Sequence, residues 1–518
     1  MRIFLIIAAA IVVTGTAMAQ DLFPLGGKVH DPRLSYPAKC SGHPPVTASS
    51  LPKSVDHSGD MPPVGTQSGS SCTGWSVGYY FKTHQERVER GWDLSDPGHQ
   101  ASPMFLYNQL NEGVDGGADL FDALELMWAH GCAPISQMAA NCSYTLWPGE
   151  TAFDSALLYR CDQDGAPYFH FGDGDGVAYA KQLLDANECV VFNISVFHNF
   201  DYINSYDTCY CGADSSGANR GGHNQCIVGY DDNKATHDGT GAFRCVNSWG
   251  TSWGNKGYYW LSYQIVTGHP GMVYPWAGTA PDRIGYQPTL KVRVRVSHAK
   301  RGRVEFIAGV GPAGAPLWSK TFYAVGSGLG QYWGTGGDLA FPATNIVLDL
   351  SEGAPYLDST ASNNVFVGCV DRLSDGTTGS IAYLAAEYLP WGASAVSVET
   401  PKAIPDYNAY VYCNVALAKP SGVSAAAGGA APARGPALAI YPNPARQRCV
   451  IALNSSAAAG TRITIYDAAG RLVQSLAAAG SGCNWDLRDD RGRRIAPGVY
   501  FIRTSSAAAR TGKLVVVD

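Results

Sequence analysis

The chain has 518 residues, 46% of them hydrophobic and 15% charged, which is enough apolar material for several buried cores and excludes a disordered polymer. A formal net charge of −6 and the lack of a basic run ahead of the C-terminal tail exclude a phosphate-binding surface, so nucleic acid is not an expected partner.

In chain order, Met1-Arg2, the apolar run Ile3 to Val13 and the ending Ala17-Met18-Ala19 have the charge, length and small-residue close of a secretory signal peptide over residues 1–19. That run falls short of a membrane span and no later stretch reaches about 18 apolar residues, so no stable membrane span is expected after signal cleavage. Residues 20–50 are rich in Pro, Ser and His and lack helical periodicity; they read as a short N-terminal segment, and a domain begins near Leu51. About thirty residues is too short for a long helical inhibitory propeptide, so inhibition by such a domain is not expected.

The stretch Gly69-Ser70-Ser71-Cys72-Thr73-Gly74-Trp75 opens a helical run that ends near Gly91. A cysteine at a helix N-terminus meets unpaired N–H groups and the positive end of the macrodipole, both of which favour a thiolate, so Cys72 is a candidate nucleophile. Trp75, Tyr79, Tyr80, His84 and Val88 recur at helical spacing and predict the buried face, with Gln85, Glu86, Glu89 and Arg90 in water. Ser102-Pro103 predicts the start of a helix through Leu110, and Asp119 caps another that ends at His130-Gly131. From Cys189 onward the composition turns to strand, with runs at Gln225–Tyr230, Phe243–Val246 and Tyr258–Tyr263.

A nucleophilic thiol needs a base and a group that orients the base. Gly221-Gly222-His223 opens an apolar strand, and Asn247-Ser248-Trp249-Gly250-Thr251-Ser252-Trp253-Gly254 through Gly257-Tyr258 follows the next one. Together these resemble the papain-like cysteine peptidases. His223 and Asn247 follow Cys72 in the family's order, about 150 and about 175 residues later, slightly beyond the usual interval of about 130–150. The resemblance implies an α+β, two-lobed catalytic domain over 51–280. In it Cys72 would be the nucleophile, His223 the general base and acid, Asn247 the residue that orients the imidazole, and Gln67 an oxyanion donor. It also implies that Trp249 shields the Asn–His hydrogen bond, that Gly116 and Gly117 let substrate backbone run antiparallel along the cleft, and that Asn224 borders a specificity pocket. Two departures stand out. The flank of the nucleophile is Gly-Ser-Ser-Cys-Thr, with the indole displaced to Trp75 and no neighbouring cysteine, and Gln67 stands one residue nearer than usual.

Setting Cys72 aside leaves thirteen cysteines in a chain expected to be exported, so disulfides are permissible and at least one thiol has no internal partner; Cys132 and Cys142 flank a short loop and are a plausible pair. No Cys/His spacing suits a catalytic metal, and no cofactor is expected. Alternating runs at Leu290–Val296, Val304–Ala308, Ile346–Leu350, Val365–Val370 and Ser380–Leu384 predict a β-sandwich accessory domain over 285–415. Residues 419–436 are rich in Ala, Gly and Pro and read as a linker. Over 437–518, Tyr441-Pro442-Asn443-Pro444, Ile463 to Arg471, Gly498-Val499-Tyr500-Phe501 and Lys513-Leu514-Val515 resemble the sorting domain of type IX secretion, with an Ig-like sandwich as the physical reading. The expectation is a multidomain, secreted or cell-surface peptidase that travels by way of the periplasm, with peptide substrates and the secretion machinery as partners. The competing class is a catalytically inactive papain-like surface adhesion protein.

Overall fold

The computed structural model describes residues 23–36, 40, 51–111, 113–162, 168–172, 175–269, 271–323, 339–419, 438–441, 449–453, 462–467, 471–477, 482–504 and 511–516. The expected signal peptide and nearly all of the expected linker lie outside these residues. The chain divides into two compact units, 1–420 and 421–518.

Helices come first in the larger unit. Ser102 accepts the Phe105 N–H and Pro103 fills the first turn of Pro103–Leu110. Asp119 accepts the N–H groups of Phe121 and Asp122 and starts Leu120–His130. That helix stops at Gly131, whose φ of 75° and whose closeness to the Ala156 carbonyl, 1.9 Å from where a Cβ would stand, both require glycine. Both helices bury their apolar residues against the Cys72 helix, through Phe105, Leu106, Phe121 and Leu124 on one side and Val77, Tyr80 and Phe81 on the other.

The Cys72 helix departs from the predicted amphipathic pattern. It runs as a π-helical stretch, Gly74–Lys82, before becoming an α-helix, Thr83–Arg90, that ends on left-handed Gly91. Trp75, Tyr79, Tyr80 and His84 are buried as expected, but Val88 is 48% exposed while Gln85 and Glu86 are 5% and 2% exposed. The wider turns rotate the downstream face relative to a 3.6-residue count. Partners then accept the buried polar groups: Lys82 and Arg90 flank the Glu86 carboxylate, and the Gln85 amide donates to the Ala280 carbonyl at 2.6 Å.

Strands between Tyr168 and Gly278, together with Ser54–Asp56, form a mostly antiparallel eight-stranded sheet. Its centre is the antiparallel pair Val190–Phe197 and Asn219–Thr236, in which Ile194 faces His223. Gly239–Val246, Tyr258–Ser262 and Cys209–Tyr210 continue the sheet on one side, and Trp276–Gly278 and Tyr168–His170 on the other. The predicted strands are present, and the first is longer than the apolar run alone suggested.

Residues 290–418 form a five-stranded sheet centred on Leu290–His298 and Gly379–Tyr388 and a four-stranded sheet centred on Val304–Val310 and Ser362–Asp371. Alternate residues Val292, Val294 and Val296 of one and Phe306, Ala308, Val365 and Val367 of the other share one core, as period-two patterning requires. Buried Arg160 ties this region to the helical half through Asp349 at 2.7 Å. Asp349→Ala leaves that guanidinium with Glu352 as its remaining carboxylate among the described residues, beside the Trp128 carbonyl, and urea unfolding is expected to register a loss of about 3 kcal/mol; a loss below about 1 kcal/mol would show that the pair contributes little.

The cysteines depart from the expected bridging: all fourteen are unbridged. The Cys132 thiol points to the Ser102 carbonyl at 3.3 Å, and the Cys142 sulfur lies beside the Asn108 amide, so the two side chains serve different neighbours.

In the smaller unit, Leu438–Tyr441, Cys449–Leu453 and Gly482–Trp485 form one sheet, and Leu472–Ala477, Arg462–Asp467, Gly498–Thr504 and Thr511–Val516 another. Ile451, Ile463, Ile465, Trp485, Ile502 and Leu514 make the core. The Asp467 N–H donates to the Arg471 carbonyl and closes the predicted hairpin; residues 468–470 and Pro442–Pro444 lie outside the described residues.

Candidate active site

Three elements carry the candidate residues. Cys72 sits in the first helical turn, where the Ser71 carbonyl accepts the Trp75 N–H. His223 projects from Asn219–Thr236, and Asn247 follows Gly239–Val246. His223 Nε2 lies 2.8 Å from Asn247 Oδ1. That oxygen also accepts the Ser248 N–H at 2.7 Å, which fixes the amide with its oxygen toward the ring. The Tyr80 hydroxyl donates to the Asn247 carbonyl at 2.9 Å and so links the helix to this loop. Trp249 stacks on the imidazole at 4.9 Å between centroids and covers the His–Asn hydrogen bond. The remaining ring nitrogen, Nδ1, is buried without a hydrogen-bond partner among the described residues.

Cys72 and His223 are both fully buried, and burial sets their charge state. It pushes the Cys72 thiol up to about 12, against the lowering effect of the Asn224 backbone N–H and of Thr73. It also pulls His223 down to about 4, opposed by the Asn247 hydrogen bond and assisted by the Arg220 charge. Near pH 7 the pair is therefore neutral thiol and neutral imidazole in this state.

Gln67 is held by Ser248. The Ser248 hydroxyl donates to Gln67 Oε1 at 2.7 Å and the Gln67 N–H donates to the Ser248 carbonyl at 2.7 Å. Its Nε2 is thus free to donate to the carbonyls of Gly69 at 2.9 Å and Leu25 at 3.3 Å.

The second of these contacts exposes what the sequence reading missed: residues 23–36 form a strap across the site. Phe23 stacks on Trp249 at 4.7 Å, and the Pro24 carbonyl accepts the Trp249 indole N–H at 2.9 Å. Arg220, paired with Asp201, donates to the Phe23 carbonyl. The Gly26 N–H reaches the Gly222 carbonyl, and the Gly26 carbonyl accepts the Ala118 N–H at 3.1 Å. Gly27–Lys28 then pairs parallel with Ala118–Asp119, His30 bonds Asp119 at 2.9 Å, and the Tyr36 hydroxyl donates to Asp122. Burial disfavours the charged form of His30, but the hydrogen bond and charge of Asp119 more than offset it and its pKa is raised. The sequence expectation concerned inhibition by a long helical domain, and an extended strand lying along the cleft is a different arrangement that it did not consider. Gly26-Gly27 was the legible signal, since two residues without side chains let backbone pass this closely.

The other predicted residues also meet here. Gly117, at a φ of 86°, faces the strap, and a Cβ there would stand 2.1 Å from the Gly26 carbonyl; Gly116 is exposed. Asn224 donates to Thr73 Oγ1 at 2.8 Å and accepts from Asn193 Nδ2 at 2.7 Å, and Thr73 Oγ1 donates to the Ala118 carbonyl. Asn193 and Thr73 were not singled out by the sequence, since a lone Asn in a strand carries no pattern. Two groups could in principle approach a metal: His30, Asp119 and Asp122, and Glu86, Glu89 and Asp282. In the second, Glu86 and Asp282 already flank the Lys82 ammonium, and in the first Asp119 is engaged as a helix cap.

Residues 169–272 match the family model described as papain family cysteine protease, and residues 439–518 match the model of a secretion system C-terminal sorting domain. Among solved structures, the chain is similar to xylellain, a cysteine protease from Xylella fastidiosa, at 19% identity over 50% of this chain and 96% of that one, with a TM-score of 0.39. It is also similar to the bromelain protease from Ananas comosus in complex with the E64 inhibitor (16% identity, 45% and 100% coverage, TM-score 0.33). A third is procathepsin B S9 from Trypanosoma congolense (16% identity, 50% and 86% coverage, TM-score 0.37). No curated protein matches the sequence. The chain carries a papain-family cysteine peptidase domain, and is thus a hydrolase, with a secretion system sorting domain at 439–518.

Proposed function

We propose that this exported peptidase cleaves peptide bonds at Cys72, His223 and Asn247 through a thioester intermediate, and that residues 23–36 hold it latent until they are displaced. The observation that carries the proposal is the Asn247-bound, Trp249-covered imidazole, whose other nitrogen is left without a partner among the described residues, with the strap passing between Ser70 and the His223 strand. With the strap gone, water and the helix N-terminus stabilise the thiolate, and the imidazole takes the proton. Sγ attacks the carbonyl carbon, and Gln67 Nε2 donates to the developing oxyanion at the position now taken by the Leu25 carbonyl. His223 returns its proton to the leaving amine and the C–N bond breaks. It then takes a proton from water, whose oxygen attacks the thioester and frees the acid and the thiol. Asn247 orients the ring, and Trp249 protects that hydrogen bond.

Turnover by the released enzyme is expected to be bell-shaped in pH, falling in acid as the thiolate gains a proton and in base as the imidazolium loses one. His223→Ala is expected to cost more than about 10³-fold in kcat and Asn247→Ala less, since orientation is lost but the base is kept. A flat profile, or an Asn247 variant as inactive as the His223 variant, overturns these roles.

In the same reading, residues 51–280 are the catalytic domain, 285–415 a β-sandwich accessory domain, and 437–518 an Ig-like domain read by the export machinery after the signal peptide has crossed the inner membrane. The boundary between the two compact units falls at Pro420, so a chain ending there is expected to fold and keep its activity. In the native host it is expected to accumulate in the periplasm. Full-length levels of the truncated chain at the cell surface or in the medium would show that the tail is not the sorting signal.

A further inference from the structure

Two thiols outside the Cys72 site share one edge of the sheet. Cys209–Tyr210 pairs parallel with Trp260–Leu261, and Cys211 continues it in extended backbone, at a φ of −133° and a ψ of 172°. Side chains alternate along a strand, so Tyr210 turns into the core against Phe200 while the cysteines on either side of it share the other face. There the two thiols are in hydrogen-bonding contact. Cys209 is half-buried, and Cys211 is fully buried behind it.

The cover over this pair is the long hairpin between His223 and Asn247, whose tip, His237-Asp238, joins Asn219–Thr236 to Gly239–Val246. The His237 N–H donates to the Cys211 sulfur, Asp238 accepts the Gly212 N–H at 2.7 Å, and the Cys209 thiol points to the Ala235 carbonyl at 3.8 Å. Lys234 lies over the ring of Trp260, the strand partner of Cys209, at 5.4 Å. The hydrogen bond from Cys211 pulls the Cys209 thiol down to about 7, with the Lys234 and His237 charges assisting and burial and Asp207 opposing. Cys211 is pushed up by the same hydrogen bond and by burial. One sulfur is therefore a nucleophile near neutral pH, and its neighbour keeps its proton.

We infer that Cys209 and Cys211 are a redox-active dithiol that exchanges with low-molecular-weight disulfides of the glutathione class. The Cys209 thiolate attacks one sulfur of such a disulfide, RSSR; the S–S bond breaks, and RS⁻ leaves and takes up a proton. Cys211 then gives its proton to solvent and attacks the Cys209 sulfur, the mixed disulfide breaks, and a second RSH leaves. Two cysteine thiols are thus oxidised by two electrons to a Cys209–Cys211 bridge as RSSR is reduced to two RSH. Cα atoms two residues apart on a strand are separated by about 6.5 Å, near the far limit of what a disulfide spans, so excess thiol reopens the bridge. The inference is independent of the peptidase reading, because neither sulfur belongs to that site.

In the test, the full chain is reduced, freed of reductant and incubated near pH 7 with oxidised glutathione. Remaining thiols are blocked with iodoacetamide, and the peptides are read by tandem mass spectrometry. The expected product carries a Cys209–Cys211 bridge with no glutathione on either residue, and an excess of reduced glutathione reopens it. Cys211→Ser should stop at a single glutathione on Cys209, and Cys209→Ser should leave Cys211 at least about tenfold less glutathionylated than that. Gly26→Ala, whose Cβ would stand 2.1 Å from the Ser70 carbonyl oxygen and so lifts the strap, should leave bridge formation unchanged. Glutathione that stays on Cys209 in the parent chain overturns the inference, as does the absence of reaction at both cysteines. A bridge that reduced glutathione leaves closed overturns it too, since such a bridge is structural, and so does one that forms only in the Gly26→Ala chain. Should Cys211→Ser fail to fold, the parent chain's bridge and its reopening still decide the matter.

Discussion

Cys72→Ala is expected to abolish thiol-dependent peptide hydrolysis by the strap-released chain, with a fall in kcat of at least about 10⁴-fold. The change removes one sulfur from a buried position at a helix tip, so thermal unfolding should move by no more than a small core truncation allows, about 1–2 kcal/mol. The informative control is Cys189, which also lies beside an imidazole, that of His84, and is equally buried. There, however, no asparagine orients the ring, and both of its nitrogens lack a well-formed hydrogen bond among the described residues. Its side chain is fully buried in the core cluster shared with the helices. Cys189→Ala should therefore keep turnover within a few-fold of the parent. Turnover that survives Cys72→Ala and disappears with Cys189→Ala would move the nucleophile to the second pair.

Much of this arrangement was legible in the sequence because the signals were local. Ser102-Pro103, Asp119 and Gly131 carry cap chemistry that acts within four residues, and the helices begin and end where those residues dictate. The period-two runs of 290–384 are likewise self-sufficient, since each strand alternates regardless of its partner. The misses share the opposite property. Glu86 is buried because Lys82 and Arg90 meet it on a helix whose π-helical turns no residue count anticipates. The strap has no periodicity, because an extended segment that borrows hydrogen bonds from Gly222, Ala118 and Gln67 needs none of its own. Asn193 gains its place only from Asn224 on the neighbouring strand, a pairing fixed by sheet register and invisible in either strand alone.

Lifting the strap is expected to raise the alkylation rate of Cys72 by iodoacetamide at pH 7 by at least about 100-fold in the Gly26→Ala chain. With the strap seated, burial holds the thiol at about 12, so the thiolate fraction at pH 7 is about 10⁻⁵; a solvated cysteine near 8.5 has about 3%, a ratio of about 10³ before steric access is counted. The pH dependence separates the two states. A thiol held at about 12 gives a rate that climbs about tenfold per pH unit throughout the neutral range, because deprotonation stays incomplete at every point. A released thiol gives a rate that levels off once the pH passes its lowered pKa. Burial, assisted by the Arg220 charge, also keeps His223 near 4, so its imidazole is uncharged at pH 7 and lends no stabilisation to a thiolate until water returns. Phe23→Ala, which removes the stacking on Trp249 at the other end of the site, should shift the rate in the same direction by a smaller factor, since the contacts of Gly26 and of His30 with Asp119 remain. A Gly26→Ala chain that alkylates at the wild-type rate, with the same steep pH slope, would mean that the helix tip and the sheet alone bury Cys72, and residues 23–36 would then have no part in latency.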